Sequence, residues 1–191
     1  MNLNLSWDLF ILVFFGVVTA YSFIIGRNQT LKVISASYIG ILCADALGNL
    51  FARYFASSEA FLKLLKLFSI GSSEQATAFF KVFVLITIIV LIAVRGNYDF
   101  KTEDSRPVTM RLTVNLVLGI LSAGLMMGAM LIFVSGSSMV TGIVTPDNPL
   151  TSIYNDSRMV RLMTDYANVW FFIPGLGLIL MSLFSRKDQV S

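Results

Sequence analysis

Five apolar runs, each close to twenty residues long, set the limits on what this chain can fold into. They lie at about 7–25, 31–51, 76–94, 112–134 and 166–184. A bilayer core about 30 Å thick is crossed by roughly 20 residues at a rise of about 1.5 Å each. Lipid offers backbone groups no hydrogen bonds, so such segments cross as helices unless they close into a barrel. The scarcity of charge agrees. Only 13% of the 191 residues are charged and 56% are hydrophobic, whereas a soluble domain carries about a quarter charged residues. The expected fold class is all-α, a polytopic membrane helical bundle forming one domain over 1–191. It would have four to five transmembrane helices and two interfacial amphipathic helices, with the lipid bilayer as its first partner.

The first run reads as a retained span. Val18-Thr19-Ala20 resembles a small-residue cleavage site, but the only charge before the run is Asp8 and the run continues past the site. A secretory signal would open on basic residues. Orientation follows from lysine and arginine. Arg27, Lys32, Arg95, Lys101, Arg106, Arg111, Arg186 and Lys187 fall on one side, eight in all. Arg53, Lys63, Lys66, Lys81, Arg158 and Arg161 make six on the other. With five spans this places the N-terminus outside and the C-terminus in the cytoplasm.

Two connections carry helical apolar stripes. At 57–70, Phe61, Leu64, Leu65 and Phe68 recur at i, i+3, i+4 and i+7, ending at Gly71, with a Ser72–Gln75 capping box opening the third run. At 152–165, Met159, Leu162 and Met163, followed by Tyr166, repeat the spacing, with Arg158, Arg161 and Asp165 on the polar side. Such stripes either lie in the headgroup layer or pack over the end of the bundle.

Within the second run, Ala36, Gly40, Ala44, Gly48 and Ala52 form a ladder of small residues at every fourth position. Positions four apart share a helix face, and small side chains let another backbone approach, which is how helices associate in lipid. Gly124 and Gly128, with Gly119 and Ala123, make a similar motif in the fourth run. It fits packing within the chain or self-association. Pro174, with Gly175 and Gly177, is expected to kink or interrupt the fifth run.

Beside the ladder stand Asp45 and Asn49. A carboxylate near mid-bilayer costs about 3 kcal/mol on insertion-based scales, so it seeks the bundle interior and a partner. Lys81 is the candidate. Asp45 lies six residues before the outer end of its run and Lys81 five after the start of the next, so the two share a depth. The cluster Asp45, Asn49 and Lys81 reads either as a helix–helix lock or as a polar path for a transported species.

Other chemistry is thinly supplied. The chain has no histidine and one cysteine, Cys43, which excludes an internal disulfide, a HExxH or CxxC zinc site and a histidine-based triad. There is no P-loop, GxGxxG or GxSxG. No catalytic residue, metal ligand or cofactor site is expected. No basic run is dense enough for nucleic acid. The sequons at Asn28 and Asn155 read as accidental.

Trp7-Asp8 before the first span, then a tight Gly26-Arg27 turn into a second span rich in small residues, resembles the colicin V production protein family. These are small bacterial inner-membrane proteins with about four spans and intervening amphipathic stretches. The likeness covers the layout of residues 7–135. Asn28 stands where members commonly have glycine, and the fifth run exceeds the family's usual plan. The resemblance implies a non-enzymatic inner-membrane protein with an accessory or scaffold role in bacteriocin export or envelope homeostasis. A membrane protein partner or self-association would accompany that role. The alternative is a small transporter or channel subunit working through Asp45, Asn49 and Lys81.

Overall fold

The computed structural model describes residues 7–55, 58, 73–96, 108–135 and 150–185. The expected amphipathic segment at 57–70 (but for Ser58), Ser72 of the capping box, the polar connection after Gly96 and the Ser-Gly-rich stretch after Ser135 lie outside these. Among the described residues the chain is all-helical: α1 (Trp7–Tyr54), α2 (Ser73–Arg95), α3 (Val108–Val134), α4 (Leu150–Asp156), α5 (Arg158–Asp165) and α6 (Ala167–Ser185). Three of these, α1, α2 and α3, are long and apolar enough to cross a membrane.

Helix α1 merges the first two predicted runs, yet it is not one straight rod. Its 48 residues would span about 72 Å if straight, more than twice a bilayer core. The break is a single residue. Gly26 has φ 78° and ψ 173°, a region that only glycine enters without strain. The Thr30 hydroxyl donates to Gly26 O at 2.9 Å and lies 3.4 Å from Ser22 O. Eight residues apart on a straight helix means about 12 Å, so the axis turns back sharply. The connection expected over 26–30 is therefore Gly26 alone, with Arg27 already helical. The Thr30 hydroxyl ties the two arms together across this one-residue turn, donating to Gly26 O and approaching Ser22 O.

The two arms embrace α3. The first meets it where Gly119 leaves room: a Cβ there would lie 3.1 Å from both Ser22 Cβ and Thr19 Cα. The second arm, α2 and α3 share the main core of Leu31, Ile34, Ile41, Ala44, Leu85, Leu118, Leu125, Ala129 and Phe133. A second cluster of Ile11, Met127, Leu131, Val160 and Met163 fills the end opposite the hairpin turn.

Two expectations are corrected at the C-terminal end. The amphipathic stretch 152–165 is split at Ser157, which caps α5 by accepting from Val160 N. The side that buries is Val160 and Met163, while Met159, Leu162 and Tyr166 stay exposed. The cause is Asp8. Its Oδ1 accepts from Ser157 Oγ at 2.6 Å and from Met159 N at 2.9 Å, so the start of α1 pins the first turn of α5 and fixes its rotation. Replacing Asp8 with alanine is expected to release that turn: amide exchange at Met159 and Val160 should accelerate while α3 is unaffected. Unchanged protection would show the contact to be idle.

The second correction concerns Pro174, which sits buried inside an unbroken α6. The 58° bend falls instead at Tyr166, between α5 and α6. A proline strips its helix of one backbone donor and crowds the preceding turn. Here Tyr38 of α1 donates its hydroxyl to Phe171 O in that turn. Gly175 leaves it space, since a Cβ there would lie 3.1 Å from Tyr38 Oη. The carbonyl that Pro174 itself leaves without its helical donor is that of Trp170, and Tyr38 holds the next one in the same turn from across the bundle.

Candidate functional site

The site grows from the seam between the second arm of α1 and α2. Ala36, Gly40, Ala44 and Gly48 are buried along it. At Gly40 the backbones come close: a Cβ would stand 3.2 Å from Leu85 Cδ1 and 3.4 Å from Leu85 O. At Gly48 the space a Cβ would need is already taken by the Lys81 side chain, whose Cγ, Cδ and Cε cross it. Only glycine lets that lysine lie flat against the facing helix. At the other end the roles reverse. A Cβ on Gly96, just past the end of α2, would stand 3.1 Å from Cε of Lys32 on α1. Each helix therefore lends the other a lysine stem over a glycine, one at each end of the seam.

Lys81 Nζ reaches Asp45 Oδ1 at 2.7 Å. The two side chains are 5% and 9% exposed, and the Phe133 ring centroid lies 5.6 Å from the ammonium. The structure thus brings Asp45 and Lys81 together and encloses them. Carboxylate and aromatic face together offset part of the cost of keeping an ammonium away from water.

Asn49 and Ala52 do not join them. Both are exposed, which removes Asn49 from the expected cluster and ends the ladder at Gly48. The reason is the length of α3. Phe133 covers the flank of the pair, but α3 stops at Val134, and one turn further along α1 nothing of that helix remains. Phe51 stacked on Phe80, centroids 4.4 Å apart, takes over the contact there.

The fourth-run glycines pack within the chain. The Cβ position of Gly124 coincides with the Trp170 ring of α6, and that of Gly128 lies 3.6 Å from the Phe171 ring. On the same helix, Asn115 is 8% exposed and Ser122 fully buried, and Asn115 Oδ1 and Ser122 Oγ have no hydrogen-bond partner. Between α3 and the α5–α6 bend runs a groove of about 410 Å³, lined by Val117, Ile120, Leu121, Leu162, Tyr166, Val169, Trp170 and Ile173. At the α4–α5 junction, Tyr154 donates its hydroxyl to Asp165 at 2.7 Å. That bond, with burial and the carboxylate's charge, holds its phenol above the ordinary tyrosine range.

Sequence reasoning missed Lys32 as part of the seam, although it occupies the ladder position one turn before Ala36. It also missed Tyr38 and the Asp8–Ser157 contact, partners separated by 133 and 149 residues, for which no local pattern exists. Among the described residues no group of three His, Cys, Asp or Glu side chains could hold a metal ion. Compared with family models, with curated proteins and with solved structures, the chain matches none.

Proposed function

We propose that this chain is a non-catalytic membrane scaffold whose Asp45–Lys81 pair is an internal lock. In this reading both arms of α1, together with α2, α3 and the bent α5–α6 pair, cross a bacterial inner membrane. Five crossings put the N-terminus outside and the C-terminus in the cytoplasm. The accessory role in bacteriocin export or envelope homeostasis, implied by the sequence resemblance, is the pathway the scaffold would serve.

The observation that carries the reading is the enclosure of the pair. Ile41, Ala44, Leu85, Ala129 and Phe133, each no more than 2% exposed, occupy the turns beside Asp45 and Lys81. A carboxylate that hands ions or protons across a membrane needs water or other polar groups leading to it. Of the Asp45, Asn49 and Lys81 cluster that the transporter alternative uses, Asn49 faces outward.

Reconstitution tests the choice. Proteoliposomes holding the purified chain are expected to pass protons and small ions no faster than protein-free vesicles. Solubilisation in mild detergent is expected to retain one membrane protein, or a second copy, in stoichiometric amount. A flux that disappears in Asp45→Asn would establish the transporter instead.

A further inference from the structure

We propose that the groove between α3 and the α5–α6 bend is a binding site for one acyl chain of a membrane phospholipid, held by the protein instead of exchanging freely with the surrounding lipid. Neither Asp45 nor Lys81 takes part, so the site is independent of the lock.

The groove holds about 410 Å³ and its walls present no polar atom. Val117, Ile120, Leu162, Tyr166, Val169 and Ile173 all line it and are all exposed, so it is continuous with the apolar outer surface that a bilayer covers. Its walls are held in place from outside. Asp8 fixes the first turn of α5 through Ser157 and Met159 N, and the α5–α6 pair bends by 58° at Tyr166. Trp170 rests its ring on Gly124, with Phe15 edge-on to it. The groove therefore stays open without an occupant, and filling it costs little ordering of the protein.

Size and setting select the occupant. A helix with its side chains is about 10–12 Å across and rises about 5.4 Å per turn, so one turn of it fills about 400–600 Å³. The groove has room for barely that, so a partner helix or the span of a second copy does not seat along it. A slender hydrocarbon chain does. Within lipid an apolar face gains nothing by leaving water, and contact area decides what stays. On a convex face such as α2, where Phe79, Phe83 and Val90 are exposed, a lipid chain touches protein on one side only. In the groove it touches α3, α5 and α6 together.

The two tryptophans provide the test. Trp7→Phe leaves Trp170, in the wall of the groove, as the sole indole, and bromine on an acyl chain quenches an indole it touches. The full chain carrying Trp7→Phe is reconstituted in phosphatidylcholine brominated along its acyl chains, then washed in mild detergent containing unbrominated phosphatidylcholine. Trp170 is expected to be quenched before the wash and to keep most of that quenching after it. A control with Trp7→Phe, Trp170→Phe and Phe83→Trp carries its indole on the exposed face of α2 and should recover fully. Val117→Phe and Val169→Phe, each in the Trp7→Phe chain, enlarge exposed lining side chains and should fill the groove. Both should lose the retained quenching while Tm stays at the parent value. The proposal is overturned if Trp170 recovers on washing as fully as the indole on α2, which would make the contact ordinary boundary lipid. It is overturned if both filled variants, at the parent Tm, keep the quenching. It is overturned too if Trp170 is not quenched before the wash, which would show the groove covered by protein, either another segment of this chain or a second copy.

Discussion

Removing either charge of the Asp45–Lys81 pair by itself is expected to destabilise the bundle by about 3–5 kcal/mol, because the survivor becomes an uncompensated buried ion. Lys81→Met keeps the stem that lies over Gly48 and deletes only the ammonium. Asp45→Asn keeps the shape of the carboxylate and deletes its charge. Each should lower Tm in detergent by many degrees. Removing both charges together, as Asp45→Leu with Lys81→Met, should recover most of the loss, since an apolar pair of similar volume is often as stable as a buried salt bridge. The exchanged pair, Asp45→Lys with Lys81→Asp, should recover less. A lysine at position 45 has no glycine opposite to lie across, whereas Lys81 has Gly48. The order of stability expected is parent, then the apolar double variant, then the exchange, then the single variants. A double-mutant cycle with no coupling between the two positions would show that the 2.7 Å contact contributes nothing to the fold.

The sequence was most legible where the physics is local or periodic. Apolar runs of bilayer length announce helices because lipid leaves few alternatives, and α2 and α3 fall over the predicted runs. Asp45 and Lys81 could be matched in depth because consecutive helices run antiparallel and residues count distance along the axis. The failures have a common origin in three-helix geometry. Asn49 shares a stripe with Asp45, but whether a position on that stripe is buried depends on where a third helix ends, and the α2–α1 pattern holds no trace of the stop at Val134. The rotation of α5 against the bundle is illegible for a similar reason. Its stripe at i, i+3 and i+4 is genuine, but Asp8, far away in sequence, decides which side turns inward. Pro174 was expected to break its helix because a proline read alone should do so; Tyr38 offsets that tendency from across the bundle. The tight turn expected at Gly26-Arg27 narrows to Gly26 alone, because its unusual backbone freedom, aided by Thr30, compresses to one residue what ordinary side chains need several to accomplish. Lys32 was legible and overlooked. It extends the ladder by one more step of four, and a lysine at a position otherwise reserved for small residues implies a glycine facing it.

Adding one methyl group at Gly124 is expected to disrupt the bundle more than adding one at Gly128, although the two form a single GxxxG motif. A Cβ on Gly124 would overlap Cε3, Cζ3 and Cδ2 of Trp170. That ring is rigid, and it is backed by Phe15 edge-on with centroids 5.8 Å apart, so it cannot withdraw without moving the first arm of α1. At Gly128 a Cβ would sit 3.6 Å from Phe171, an ordinary van der Waals distance. Gly124→Ala should therefore cost about 1–3 kcal/mol through overpacking, whereas Gly128→Ala should be close to neutral or slightly stabilising through the better helix propensity of alanine. Shrinking the obstacle should reverse the first effect: in a Trp170→Leu background, Gly124→Ala should cost much less than in the parent chain. The comparison also separates the two uses of the motif. If the glycines mediate self-association, both alanine variants would shift the oligomeric state in detergent and Trp170→Leu would not correct it. If they seat α6 on α3, the oligomeric state stays constant while Tm falls for Gly124→Ala and not for Gly128→Ala, and unfolding curves of the four variants followed beside size-exclusion profiles decide between the two.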